Sequence, residues 1–148
     1  MNIQKFTQKS IEAINGCEKL AYEYGNQEIE QEHLLVSLLQ QQDGLIPKLI
    51  EKMEINLPHF TENALSKLNA RVKVSGGQIF MGQDLNKVLI HAEDEAKQMG
   101  DEYVSVEHLF LCLASRPEFR VLALGLAADT RLLGNPEWRR FPRPASQH

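Results

Sequence analysis

The sequence predicts an all-α fold: two tandem, pseudo-symmetric four-helix repeats packed as one compact bundle. Residues 27–39, QEIEQEHLLVSLL, return 75 positions later as residues 102–114, EYVSVEHLFLCLA. Glu32, His33, Leu34 and Leu38 recur as Glu107, His108, Leu109 and Leu113, while Ala21, Gly25 and Ile29 match Ala96, Gly100 and Val104. A fixed offset of this kind marks a duplicated unit. Short links join segments of helical period, and no stretch alternates as a strand does, so helices pack on helices.

The first helix is expected over residues 7–24. Thr7 is a good N-cap, and Phe6, Ser10, Ala13, Cys17, Leu20 and Tyr24 lie on one helical face. Gly25 stops it, because glycine takes the left-handed conformation without a steric cost. Residues 30–41 form the second helix, striped by Leu34, Leu35, Leu38 and Leu39. Asp43 and Gly44 break it. A third helix covers 45–53 with Pro47 in its first turn, where proline is tolerated. Asn56 and Pro58 open a fourth, running to about Arg71. Residues 72–82, VKVSGGQIFMG, read as the loop between the repeats.

The second repeat, about residues 83–128, follows the same plan. Residues 84–99 form a helix with Leu85, Val88, Leu89, Ala92, Ala96 and Met99 inward, stopped by Gly100. Ser105 caps the next helix, through Ala114, and Pro117 opens another. The fourth helix of the first repeat has no clear counterpart, so the second repeat reads as incomplete. One half of about 70 residues is marginal alone, which requires the halves to share a core.

With 148 residues, 43% hydrophobic and 24% charged, the chain has an ordinary globular composition. A net charge of −4 argues against nucleic acid as a partner. No apolar run nears the roughly 20 residues that cross a bilayer, and the N-terminus lacks a secretory apolar core. Cys17 and Cys112 sit in apolar helical patterns, as reduced core thiols of a cytoplasmic protein do. All nine lysines lie at or before Lys97, yet six of the seven arginines lie at or after Arg116. That exchange has no folding reason. It marks residues 129–148 as an atypical tail, disordered or foreign to the rest, from a basic extension or a different coding history such as a frameshift. The second origin is preferred.

Catalytic patterns are missing. No GxxxxGK[ST] phosphate loop or nucleophile elbow occurs, so this chain is not expected to be an enzyme. The Glu-His pairs lack the further histidines of a zinc motif, and no metal site is expected. His33 and His108 read as architecture near helix starts. Glu32 and Glu107 fall in first turns, where a carboxylate suits the positive end of the helix dipole. As a symmetry-related pair, they can also present acid to a basic or polar partner. Thr7 is first a cap, and Asp101 first a turn residue.

Three stretches then carry a resemblance: FTQKSIEAINGCEKLAYEYGNQEIEQEHLLVSLL, DGLIPKLIEKM and LNKVLIHAEDEAKQMGDEYVSVEHLFLCL. Together they resemble the N-terminal double-repeat domain of Clp ATPases, most nearly the ClpB-type disaggregase. The resemblance spans residues 1 to about 114. It implies a mobile all-α module that takes unfolded or aggregated polypeptide, or an adaptor protein, to two AAA+ rings absent from this chain. ATP would serve those modules, and this chain needs no cofactor of its own. The isolated domain is expected to be monomeric, the parent a hexamer, with neither membrane nor nucleic acid as partner. In the ClpB type, the residues matching Thr7, Asp101 and Glu107 engage substrate beside an apolar groove. Glu95 and His108 make that groove more polar here. In the ClpC type, carboxylates matching Glu32 and Glu107 recognise phosphoarginine. The leading reading is therefore a recruitment domain. A stand-alone adaptor or phosphoarginine-reading regulator comes second, and a metal-dependent hydrolase third.

Overall fold

The structure is a computed structural model, and it describes residues 2–52 and 54–116. The helix expected from Pro117 and the tail of residues 129–148 lie outside the described residues.

Each repeat begins with a helix of 16 residues. A short 3-10 turn, Ile3–Lys5, leads into α1 (Gln8–Glu23). Thr7 caps α1, its Oγ1 accepting the Ser10 amide at 3.1 Å. The counterpart α5 (Gln83–Gln98) starts and ends 75 positions later, with Gly82 at the cap position. Both helices stop at a glycine of positive φ, 70° at Gly25 and 74° at Gly100. The next amide turns back in each case, Asn26 to Ala21 O and Asp101 to Ala96 O, both at 2.8 Å. Those bonds satisfy carbonyls that the helix end leaves open.

α2 (Gln31–Gln40) and α6 (Val106–Ala114) are the central helices. Eight residues of α2 and eight of α6 are buried, so neither keeps the solvated face of a surface helix. α1 packs on α2 and α5 on α6, and the two pairs meet where α2 touches both α5 and α6. α3 (Leu45–Lys52) and α4 (Leu57–Asn69) close the first repeat against α2, and α3 also reaches α6. Asn56 caps α4 by accepting the His59 amide at 3.0 Å. Leu34, Leu38, Ile46, Leu49, Phe60, Leu85, Leu109 and Phe110 are among the fully buried side chains of one continuous core. Each contributes about 1.5–3 kcal/mol by leaving water.

One expectation needs correction. The end of the segment read as a loop, Phe80–Met81, forms β2, which pairs in parallel with β1 (Glu28–Ile29). The register sets Glu28 beside Phe80 and Ile29 beside Met81. Strands of two residues are too short to show alternation in a sequence. A parallel bridge between Phe6 and Val104 is the counterpart at the other end, since Phe6 and Val104 stand 75 positions from Met81 and Ile29. The entry segment of each repeat thus pairs with the other repeat. The Thr7 amide donates to Val104 O at 2.9 Å, and the Gly82 amide donates to Ile29 O at 2.8 Å.

The missing side chain at Gly82 leaves space that the ends of two glutamates occupy. A Cβ there would lie 1.4 Å from Glu30 Oε1 and 2.7 Å from Glu28 Oε1. Replacement by alanine has to push a buried side chain out of place. Gly82→Ala is therefore expected to lower stability by no more than about 1 kcal/mol, the low end of overpacking. Chemical denaturation measures this directly, and an unchanged midpoint would show that the carboxylates are not confined there.

Candidate functional site

The repeated Glu-His pair becomes a mechanical clip in both halves. His33 Nδ1 accepts the Glu30 amide at 2.9 Å, and His108 Nδ1 accepts the Ser105 amide at 2.9 Å. Each ring then reaches back with Nε2 to the residue after the helix-stopping glycine. His33 Nε2 donates to Asn26 Oδ1 at 2.9 Å, and His108 Nε2 donates to Asp101 Oδ2 at 2.8 Å. With Nδ1 accepting, the hydrogen of each ring resides on Nε2. One imidazole therefore ties the end of one helix to the start of the next. Asn26 Nδ2 extends the first clip to Val72 O at 3.1 Å, just past α4.

The residues singled out from the sequence fall on this frame unevenly. Thr7, 1% exposed, accepts the Ser10 amide, and its Oγ1 lies 2.9 Å from Ser10 Oγ. Ser10 Oγ in turn donates to Val104 O at 2.9 Å. Glu107, 3% exposed, accepts a hydrogen bond from Ser105 Oγ at 2.8 Å. Asp101 is the more open member, its side chain 28% exposed beside the His108 ring. The structure brings the three together around the Val104–Ser105 junction: Thr7 bonds to Val104, Glu107 to Ser105, and Asp101 to Ser105 through His108. Glu32 lies apart, 25% exposed and ion-paired with Arg71. Duplicated positions have thus diverged, one carboxylate enclosed and the other at the surface.

Two features escaped the sequence reading. Arg71, just beyond α4, reaches across 39 positions to Glu32, and no period announces such a pair. The Glu28 and Glu30 carboxylates crowd against Gly82, and Glu30 is 6% exposed. The offset could have flagged Glu30, because Ser105 is its counterpart and a carboxylate in place of a hydroxyl has to find room. Beside β1 runs a groove of about 420 Å³, lined by Asn26, Gln27, Glu28, Arg71, Val74 and Phe80 among others. Val72, Val74, Phe80 and Met81 expose apolar surface there or next to it.

Among the described residues, no group of three or more His, Cys, Asp or Glu is arranged to hold a metal ion. Burial pushes the Cys17 and Cys112 thiols up to about 12, which leaves both protonated and poor nucleophiles. Among the described residues, no helix is long and apolar enough to cross a membrane.

The fold defines a duplicated, mostly helical domain. The Clp repeat (R) N-terminal domain family matches residues 5–124. The chaperone protein ClpB of Nitratidesulfovibrio vulgaris is 41% identical over 127 residues, which cover 82% of this chain and 15% of that protein. ClpB of Porphyromonas gingivalis is 38% identical over 135 residues, covering 90% of this chain and 16% of that protein. Among solved structures, the Hsp104 N-terminal domain from Candida albicans superposes with a TM-score of 0.80 at 22% identity, with 94% of each chain covered. The chain belongs to the Clp N-terminal repeat domain family. It is a chaperone N-terminal module, and it spans less than one fifth of the length of these ClpB relatives.

Burial, and then the nearby Arg71 charge, hold His33 down at about 4. The folded state therefore binds fewer protons than the unfolded chain between about pH 4 and the ordinary histidine range near 6.5. Stability from the neutral ring is complete above that range and is lost as pH falls towards 4. The stability difference between wild type and His33→Gln should shrink by up to roughly 3 kcal/mol from pH 7 to pH 4. Comparing only the difference cancels other titrating groups. A difference that stays constant over this range would place a charged ring in the folded state.

Proposed function

We propose that this domain is the recruitment module of a ClpB-type, ATP-dependent disaggregase, taking unfolded or aggregated polypeptide to AAA+ modules that lie outside this chain. Family membership and the ClpB relatives support a chaperone setting, and with it a cytoplasmic location. The observation that carries the reading is the edge at Gly100 and Asp101. There a partly exposed carboxylate is held by His108 over an enclosed Thr7–Val104–Ser105–Glu107 network. In this reading Asp101 meets the client, while Thr7 and Glu107 set the shape of the edge from beneath. The carboxylate favours clients with basic or amide groups. Affinity is weak, because a site that must release diverse clients buries little specific area. Neither metal nor cofactor enters this step.

The second reading, an adaptor or phosphoarginine-reading regulator, draws on Glu32, whose carboxylate already accepts a guanidinium from Arg71. A ligand guanidinium would first have to displace that internal partner.

Titration of isotope-labelled protein with a permanently unfolded model polypeptide separates the two. Saturable shifts should centre on Gly100, Asp101 and the start of α6. Asp101→Ala should weaken capture by about 1 kcal/mol, or roughly fivefold in Kd, with a small change in melting temperature. Glu107→Ala should weaken capture as well, through loss of the Ser105 contact. Tight binding of phosphoarginine at Glu32, with no response to unfolded polypeptide, would overturn the recruitment reading.

A further inference from the structure

Glu28 and Glu30 flank Ile29, the residue whose carbonyl holds the Gly82 amide at 2.8 Å. Both carboxyl groups lie against Gly82, where a Cβ would come within 1.4 Å of Glu30 Oε1 and 2.7 Å of Glu28 Oε1. Glu30 is 6% exposed, and its Oε1 has no hydrogen-bond partner among the described residues. Two ionised carboxylates cannot share such a place cheaply. Each would be acceptor-only, and burial strengthens their repulsion. One added proton changes this, because a protonated carboxyl donates to its neighbour.

The surrounding charges do not remove the need. Asp84, in the first turn of α5, adds a third carboxylate, and Arg116 pairs with it at 3.4 Å. Arg71, beyond α4, faces the group but is engaged by Glu32 of α2. His33, also on α2, contributes no charge while its Nδ1 accepts the Glu30 amide. Acid outweighs base here.

We propose that Glu30 keeps its proton and donates it to the Glu28 carboxylate, forming a pH-operated latch that clamps the entry of the second repeat (Phe80–Gly82) to β1 and loosens when Glu30 is deprotonated. Burial is the largest cause, followed by Glu28 and Asp84 and opposed by Arg71, of a Glu30 carboxyl pushed up to about 7. A folded-state value above the ordinary carboxylate range makes the clamp complete only below that range, near 4.5, and weakens it progressively as pH rises from there. The clamp is lost as pH rises through 7. This inference is independent of the recruitment reading, since it concerns the joint between repeats and not the Asp101 edge.

Amide hydrogen exchange tests it on the intact chain. The Phe80 and Gly82 amides bond to Gln27 O at 3.0 Å and Ile29 O at 2.8 Å and report the joint. The Phe60 amide, bonded to Asn56 O at 2.9 Å, reports the first-repeat core. After correction for intrinsic exchange, protection at Phe80 and Gly82 should fall on the order of tenfold from pH 6 to pH 8. Phe60 should change far less. Glu30→Gln, which keeps a neutral group of the same shape, should flatten the pH response. The Glu30 carboxyl carbon should titrate near neutrality in wild type, and nearer the ordinary range in Glu28→Gln. An equal pH response in wild type and Glu30→Gln would overturn the latch. So would equal losses at Phe60 and Gly82, or a Glu30 carboxyl that titrates in the ordinary range. If Glu30→Gln does not fold, the wild-type comparison and the carboxyl titration decide alone.

Discussion

The amide of Thr7 donates to Val104 O, and the amide of Gly82 donates to Ile29 O, so two equivalent hydrogen bonds run in opposite directions between the repeats. Everything else in the fold is arranged about this exchange. Each bond fixes the residue before a long outer helix against the residue just ahead of a central one. It thereby sets where α1 lies relative to α6, and α5 relative to α2. Buried amides need partners, and here the partner is supplied by the other copy of the repeat. The shared core follows, because α2 and α6 are buried too completely to be covered by their own repeat alone.

The histidine clips show how the same frame can serve two chemical ends. His33 is tied to an amide at Asn26, and His108 to a carboxylate at Asp101, with nearly the same distances. Geometry was retained while polarity changed. The enclosed Glu107 and the surface Glu32 show the same divergence, so duplication of the sequence does not yield two equivalent carboxylates.

Much of the fold was legible in the sequence because helices write themselves at short range. The offset, the glycines at 25 and 100, and the caps at Thr7 and Asn56 all lie within a few residues of what they control. The histidines' role as architecture was readable for the same reason, since each bonds to an amide three positions away. What could not be read joins distant positions without a period: Arg71 with Glu32, Glu28 and Glu30 with Gly82, and the two-residue pairing of β1 with β2. Such contacts are fixed by how the repeats dock, which no local window contains. Thr7 was readable as a cap and Glu107 as a first-turn carboxylate, but that both are enclosed depends on the same docking. Asp101, read as a turn residue, follows Gly100 with its side chain partly exposed beside His108.

The crossed pairing of entry segments has a consequence for how such a domain can change over time. A substitution at Phe6 or Thr7 is judged by its fit to Val104, and one at Met81 or Gly82 by its fit to Ile29 and Glu30. Neither copy is free to drift at its own entry, because the surface that accepts it belongs to its twin. Descendants of the original duplication can diverge in side chains that face solvent, but at the crossing they must change in step. The unit that selection sees there is the pair.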